Sequence, residues 1–229
     1  MKYGIIAAMK IEAELIEAAM TDKTFEECGM IKFCTGRIGE NDVILAVCGI
    51  GKVFAAMCAQ TMIVKYAPDA IINTGIGGTL TKELSIGDVA VSTALVQHDM
   101  DTSALGDPIG MISIIDQITL PADPALTERM LGLLKARGIN AHAGIIASGD
   151  QFIGSSEKKR WIAETFGAIA CEMEGAAIAQ VCYVNKVPFC VIRAISDDAD
   201  SGACDDYPSF AAASAKTSSQ IVIDLMSSK

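Results

Sequence analysis

Residues 171–180 read CEMEGAAIAQ, with Glu172 and Glu174 separated only by Met173 in front of an alanine-rich run of high helix propensity. Two further acids stand in comparable settings, Glu12 in KIEAEL and Asp197 in RAISDDAD. Taken singly, each also reads as a charge complementing a helix N-terminus or as a solvated loop acid. Taken together they can divide acid–base work, one carboxyl giving a proton, another taking one, a third steadying positive charge. The residues beside them, Met9, Ile50, Phe152, Ile153 and Met173, are apolar or aromatic. That set suits a flat heteroaromatic small molecule sandwiched between side chains, with carboxylates around its polar edge. Ordinary core packing would use Phe152 and Met173 as well.

Such residues do chemistry only if the fold gathers them. Strand-like runs at 2–9, 31–35, 42–47, 70–75, 87–99, 142–148 and 187–196 alternate with helical runs at 10–20, 53–66, 124–137, 155–166 and about 172–186. A last helix is expected to start near Pro208, a residue suited to a first helical turn. CGIGK (48–52) and residues 75–78 read as Gly-rich turns. The first lacks the length and ending of a Walker motif, and NTGIGG (73–78) lacks the GxGxxG spacing. The stretch 103–121 is long and irregular, and no linker divides the chain. Residues 1–229 therefore read as one α/β domain with a mostly parallel or mixed central sheet covered on both faces. In open sheets of that kind ligands bind at the carboxyl ends of the strands. All the acids above fall at such ends, as do Ile50, residues 75–78 and 149–153, and Ser196.

Composition narrows the function classes. With 51% hydrophobic residues, a net charge of −10 and five unclustered arginines, the chain is not expected to bind nucleic acid. Its apolar runs are about 5–8 residues, far from the roughly 20 of a membrane span, and the N-terminus lacks a signal-peptide pattern, so neither membrane nor secretion is expected. Eight cysteines without a CxxC pair read as buried free thiols in a reducing, cytoplasmic compartment. Two histidines and no clustered ligands leave no expected metal, and no cofactor is implied.

AAMKIEAEL, CGIGKV, INTGIGG, GDVAVS, QHDMD, SGDQFI, EMEGAAIAQ and PFCVIRAISDDAD follow, in order and spacing, the pattern of the methylthioadenosine/S-adenosylhomocysteine nucleosidases of the purine nucleoside phosphorylase superfamily. The chain resembles that family over nearly its whole length. The resemblance implies a three-layer α/β/α nucleoside phosphorylase-like fold and hydrolysis of an adenine N-glycosidic bond. By analogy Asp197 is the general acid at an imidazole nitrogen of the purine, kept protonated by burial. Glu12 activates water, Glu174 grips the ribose and faces its developing positive charge, and Arg193 fixes Glu12, Glu174 or the water. Phe152 stacks on adenine, the Ile153 backbone reads its amino edge, and Met173 lies under the ribose. Met9, Ile50 and Phe210 line the alkylthio tail. Gly78 and Ser196 count among the substrate-binding residues, and Glu172 contacts the sugar region or orders the helix start. Members of this branch are usually homodimers, and 97–105 is the stretch expected to close the partner's tail pocket.

Ile76 departs from the pattern, since the family commonly reads NTGSAG where this chain has NTGIGG. The lost serine hydroxyl would have bonded near the catalytic acid, so Ser196 or water is expected to hold Asp197 instead. The loop 201–210 also looks long. Three rivals differ in testable ways. A phosphorylase would need cationic ligands near the Gly-rich turns, where only Lys10 and Lys52 stand. A nucleosidase for another substrate such as futalosine would differ in its base and tail pockets. A catalytically silent nucleoside sensor would bind without turnover.

Overall fold

The computed structural model describes residues 1–200 and 203–228. Its strands are β1 (Lys2–Ala7), β2 (Thr21–Cys28), β3 (Ile31–Ile38), β4 (Asn41–Val47), β5 (Ala70–Thr79), β6 (Val89–Gln97), β7 (Thr119–Pro121), β8 (Ala141–Ser148), β9 (Ala168–Glu172) and β10 (Phe189–Asp197). The helices are α1 (Lys10–Ala19), α2 (Lys52–Tyr66), α3 (Pro124–Ala136), α4 (Ser156–Phe166), α5 (Gly175–Asn185) and α6 (Ala203–Ser227).

One mixed sheet holds all ten strands. β1 lies between β4 and β5 and is parallel to both, and β4, β3 and β2 continue as antiparallel neighbours. On its far side β5 runs parallel to β10, in a register from Ile71 opposite Phe189 to Gly78 opposite Asp197. From β10 the sheet passes to β6, β8 and β9, and β9 returns to β5 at Gly78–Cys171 and Thr79–Ala170. Half of the sheet therefore closes into a five-stranded ring. That closure departs from the open sheet expected from alternating elements, because the short strand β9 takes up the edge of β5 that β1 vacates after Asn73.

Side chains alternate across the sheet as the pleat demands. Tyr3 and Ile5 of β1 and Ile72 of β5 enter one core with Ile16 of α1, Met130 of α3 and Val222 of α6. Ile6 and Ile71 enter the opposite core with Ala55, Cys58 and Met62 of α2 and Ile178 and Cys182 of α5. Helices on both faces make three layers, and burial on both faces explains why these strands read as continuous apolar runs. A third cluster places Ile162 and Phe166 of α4 beside Ala147 of β8.

Several boundaries differ from the sequence expectation. Residues 75–78 are the last part of strand β5, not a turn. The helix expected from about residue 172 starts at Gly175, and its apparent beginning is the end of β9. The last helix starts at Ala203 rather than near Pro208, so Pro208 sits inside it, where only the bond back toward residue 204 is lost. β2 was not expected because TDKTFEEC carries no apolar alternation and is almost wholly exposed. Among the described residues all eight cysteines are free, and no helix is long and apolar enough to cross a membrane.

Candidate active site

The carboxyl ends of the strands meet at one cleft with about 620 Å³ of open space, its mouth included, and Glu12, Glu172, Glu174 and Asp197 line it. All four carboxylates are at least nine-tenths buried. Each is brought there by a different local device.

Glu12 is the third residue of α1, and its carboxylate turns back to the start of its own helix. Oε2 accepts from the Ala8 and Met9 N–H groups at 3.0 and 2.9 Å, and Oε1 accepts from the Ile76 N–H at 3.1 Å. No side chain of the N-cap residue, Met9, bonds the helix start, so Glu12 does that work as a capping residue. Burial raises its pKa, against the opposing pull of Arg193 and of the three backbone donors.

The β5 glycines have a steric purpose. A Cβ on Gly75 would stand 2.6 Å from Glu12 Oε1, and one on Gly78 would stand 2.6 Å from Asp197 Oδ1. One on Gly77 would meet the Cys171 carbonyl at 2.8 Å. The run keeps an extended backbone while letting carboxylates lie directly against it.

Asp197 ends β10 opposite Gly78. Its Oδ2 accepts from Ser196 Oγ and its Oδ1 from the Ala199 N–H, both at 2.9 Å. Ile76 faces the same cleft and its side chain has no polar atom to offer, so the hydroxyl at this carboxylate comes from Ser196.

Glu172 and Glu174 occupy different ground. Glu172 Oε2 accepts from the N–H groups of Glu174 and Gly175 at 3.0 and 2.7 Å and from Arg193, and its Oε1 accepts from Ser148 Oγ. Ser148 Oγ in turn accepts from the Ala176 N–H at 2.7 Å. Glu172 thus organises the start of α5. The side chain of Glu174, the N-cap of α5, makes no bond to its own helix. Its Oε1 accepts from the Gly51 N–H at 2.8 Å, and Arg193 lies 3.9 Å from Oε2. Burial and the neighbouring Glu172 push the Glu174 carboxyl up to about 7, against Arg193 and the Gly51 donor.

Arg193 does not line the cleft. It lies beneath it, 1% exposed, and donates to Glu172, to Asn73 Oδ1 at 2.5 Å and to its neighbour's carbonyl at 2.9 Å. Asn73 also donates to the Ile6 carbonyl at 3.0 Å, tying β1 to β5 beneath the acids.

The apolar wall contains Met9, Ile50, Ile76, Phe152, Ile153 and Met173. Gly78 and Ser196 also border the cleft. Ile50 and Phe152 are about half exposed, at its mouth. Phe210 does not line it and is 40% exposed. Because α6 starts at Ala203, Tyr207 reaches the cleft instead, and Phe210 lies about 4.5 Å farther along the axis. The Tyr207 ring stands edge-on to Phe152 at 5.6 Å, and its hydroxyl donates to Met9 Sδ at 3.3 Å. Tyr207, Ala8 and Cys171 are lining residues that sequence reasoning missed. An aromatic residue just before Pro208 was the available signal for Tyr207.

No Lys, Arg or His lines the cleft among the described residues. Lys10 is exposed, and Lys52 donates to Gln97 Oε1 at 3.0 Å and Asp99 Oδ1 at 2.6 Å. The arrangement offers acceptors for hydroxyls, a carboxyl that changes protonation near neutral pH, and an apolar slot. It is fitted to a neutral, partly aromatic ligand on which positive charge develops.

A model of the phosphorylase superfamily matches residues 2–227. A 5′-methylthioadenosine/S-adenosylhomocysteine nucleosidase of Staphylococcus epidermidis is 39% identical over 226 residues, 98% of this chain and 99% of that protein. The crystal structure of such a nucleosidase from Neisseria meningitidis, in complex with methylthio-immucillin-A, superposes with a TM-score of 0.96 at 34% identity and covers 100% of this chain and 99% of its own. A futalosine hydrolase of Helicobacter pylori superposes with a TM-score of 0.93 at 35% identity, over 98% of this chain and 96% of its own.

Proposed function

The chain belongs to the phosphorylase superfamily, in the branch of the 5′-methylthioadenosine/S-adenosylhomocysteine nucleosidases, and from that premise we propose how its own residues carry the reaction. It is an N-glycosidic hydrolase that releases adenine and the thioribose product from methylthioadenosine and S-adenosylhomocysteine. The bond from the anomeric carbon to adenine breaks with its electron pair going to the base. Asp197 delivers a proton to an imidazole nitrogen of that base, which makes it a neutral leaving group. Water attacks the anomeric carbon and gives its proton to Glu12. Glu174, whose Oε2 has no donor within hydrogen-bond distance among the described residues, accepts from the ribose hydroxyls and faces the positive sugar.

The observation that carries this reading is four buried carboxylates around an apolar slot whose described lining has no cation. A phosphorolytic enzyme must hold a phosphate dianion, which this lining would repel. Phe152 and Ile153 take the base, Met173 the ribose, and Met9, Ile50 and Tyr207 the alkylthio tail. Glu172 and Arg193 act through the residues they hold.

The test is adenine release from methylthioadenosine with and without inorganic phosphate. Equal rates with free methylthioribose are expected. Release that requires phosphate and yields a sugar phosphate would overturn the hydrolytic assignment. The likeness to a futalosine hydrolase makes futalosine the second substrate to assay, with adenine-based thioethers expected to be preferred.

A homodimer completes the reading. Val53, Met57 and Val64 form an exposed apolar stripe on α2, continued by Val184 of α5 and by Ile50 at the cleft mouth. A second copy covering that stripe would bring residues 97–105, with exposed Leu105 at their tip, toward the partner's tail pocket. Dilution to monomer should then raise KM for tailed substrates, and an unchanged KM in a proven monomer excludes this arrangement. Eight free thiols fit a cytoplasmic location.

A further inference from the structure

Glu174 depends on one backbone donor, and no side chain of the donor's own segment holds the turn that presents it. Gly51 has φ of 99° and no side chain, so helix α2 begins without a capping group of its own. Two carboxylates from elsewhere take its first N–H groups. Glu174 accepts from Gly51 at 2.8 Å and Asp150 accepts from Lys52 at 2.8 Å. Asp150 is itself held, its N–H donating to Asp99 Oδ2 at 2.8 Å. The Lys52 ammonium closes the circuit on Asp99 Oδ1 at 2.6 Å and on Gln97 Oε1 at 3.0 Å. Gln97 donates onward to Gln180 Oε1 of α5 at 2.6 Å.

We propose that Lys52 and Asp99 are positioning residues of the catalytic site: their ion pair ties the ends of β6 and β8 to the start of α2 and so holds the Gly51 N–H on Glu174. Neither residue lines the cleft, and both side chains are 18% exposed. A pair at that depth, with each further oxygen bonded to backbone or amide, is worth more than a surface ion pair. Asp99 is held below the usual carboxylate range: burial raises its pKa, but the bonds from Lys52 and the Asp150 N–H outweigh that. It therefore stays ionised through the range in which Glu174 titrates.

The inference rests on the nucleosidase reading for its kinetic arm only. The groups facing Glu174 are Glu172 of β9, Arg193 of β10, Glu12 of α1, Cys48 after β4, Tyr207 of α6 and the Gly51 N–H. Of these only the Gly51 N–H is controlled by Lys52. Loss of the ammonium frees the turn, and a carboxylate deprived of a backbone donor becomes harder to ionise. The titration of Glu174 then moves up by about one pH unit, which is about tenfold in kcat/KM on the acid side of the profile.

The experiment follows the Glu174 carboxyl by 13C NMR titration, alongside the pH profile of kcat/KM for methylthioadenosine, in wild type, Lys52→Met and Lys52→Arg. Asp99→Asn serves as the second variant should Lys52→Met not fold. Lys52→Met should raise both the NMR titration and the acid limb, with kcat affected more than KM, and Lys52→Arg should restore them. A Glu174 titration unchanged in Lys52→Met, or a loss of activity equal at every pH, overturns the proposal. A wild type that cleaves no thioadenosine defeats the nucleosidase reading instead, and the NMR arm still decides this one.

Discussion

The floor beneath the cleft and the wall that faces it are made from the same residue type, used in opposite ways. In the floor, Glu172 receives donors on both oxygens from two backbone N–H groups, Ser148 and Arg193. In the wall, Glu174 stands two residues later in the chain, lining the cleft with one backbone donor and with Arg193 no nearer than 3.9 Å to its other oxygen. A carboxylate whose lone pairs are filled is a structural anion, and its charge is already spent on the helix start and the guanidinium. Glu174, raised by burial and by the neighbouring Glu172 charge and holding one backbone donor, keeps free capacity for a ligand. Between these two glutamates it is donor count that differs, since both side chains are buried.

The largest effects should come from the acids assigned to proton transfer. Asp197→Asn should bind methylthioadenosine but lose about 10²–10⁴-fold in kcat, measured as adenine release beside calorimetric binding. Near-wild-type turnover would remove the general-acid role. Glu12→Gln should lose a similar factor.

The comparison breaks most directly at Glu172 and Glu174. Glu172→Gln leaves Arg193 buried without its nearest counter-charge and should cost about 3–5 kcal/mol in denaturant unfolding at pH 8. Glu174→Gln should do the reverse. Its folded pKa of about 7 lies above the ordinary glutamate value of 4.5, so the native state binds the extra proton. The stability this contributes is complete below about 4.5 and is lost as pH rises through about 7. Removing the charge should therefore leave the protein as stable as wild type near pH 5 and more stable at pH 8, while kcat falls. Equal destabilisation by both substitutions at pH 8 would erase the distinction between floor and wall. The wild-type kcat/KM should fall below about pH 7 as Glu174 takes up its proton, a limb that Glu174→Gln abolishes.

That distinction was only half legible in the sequence. Apolar periodicity located most strands and helices, and the strand-end rule gathered Glu12, Glu174, Asp197, Phe152 and Ile50 at one edge. Donor counts cannot be read this way. CEMEG looks like one helix mouth, whereas Glu172 closes a strand and Glu174 stands at the N-cap position with its side chain turned away from the helix to Gly51, and only the chain reversal between them supplies the N–H groups that fill Glu172. Glycines in NTGIGG resemble a turn because the carboxylates they make room for come from α1 and β10, far away in sequence. Ring closure by the five-residue β9 and exposure of β2 left no periodic trace. Tyr207 was missed because Pro208 drew the helix start too late.

Smaller effects belong to the apolar wall. Tyr207→Ala opens the slot between Met9 and Phe152 and should raise KM for methylthioadenosine about tenfold, with kcat within about twofold, because lost tail packing is felt equally in ground and transition states.

The smallest effect is expected at the most conspicuous departure, Ile76. Its N–H supports Glu12 Oε1, and that bond belongs to the backbone, so it survives any side chain. A hydroxyl at this position would compete for Asp197, whose Oδ2 already accepts from Ser196 at 2.9 Å and whose Oδ1 accepts from the Ala199 N–H. A further donor to a general acid favours its ionised form, which is the wrong form to deliver a proton. Ile76→Ser should therefore lower kcat by only about twofold, the effect of one added neutral hydrogen bond at the low end of its usual worth, about 0.5 kcal/mol. A tenfold rise in kcat for Ile76→Ser would mean that Asp197 in this chain is under-supported, and donor count would then limit the wall as well as define the floor.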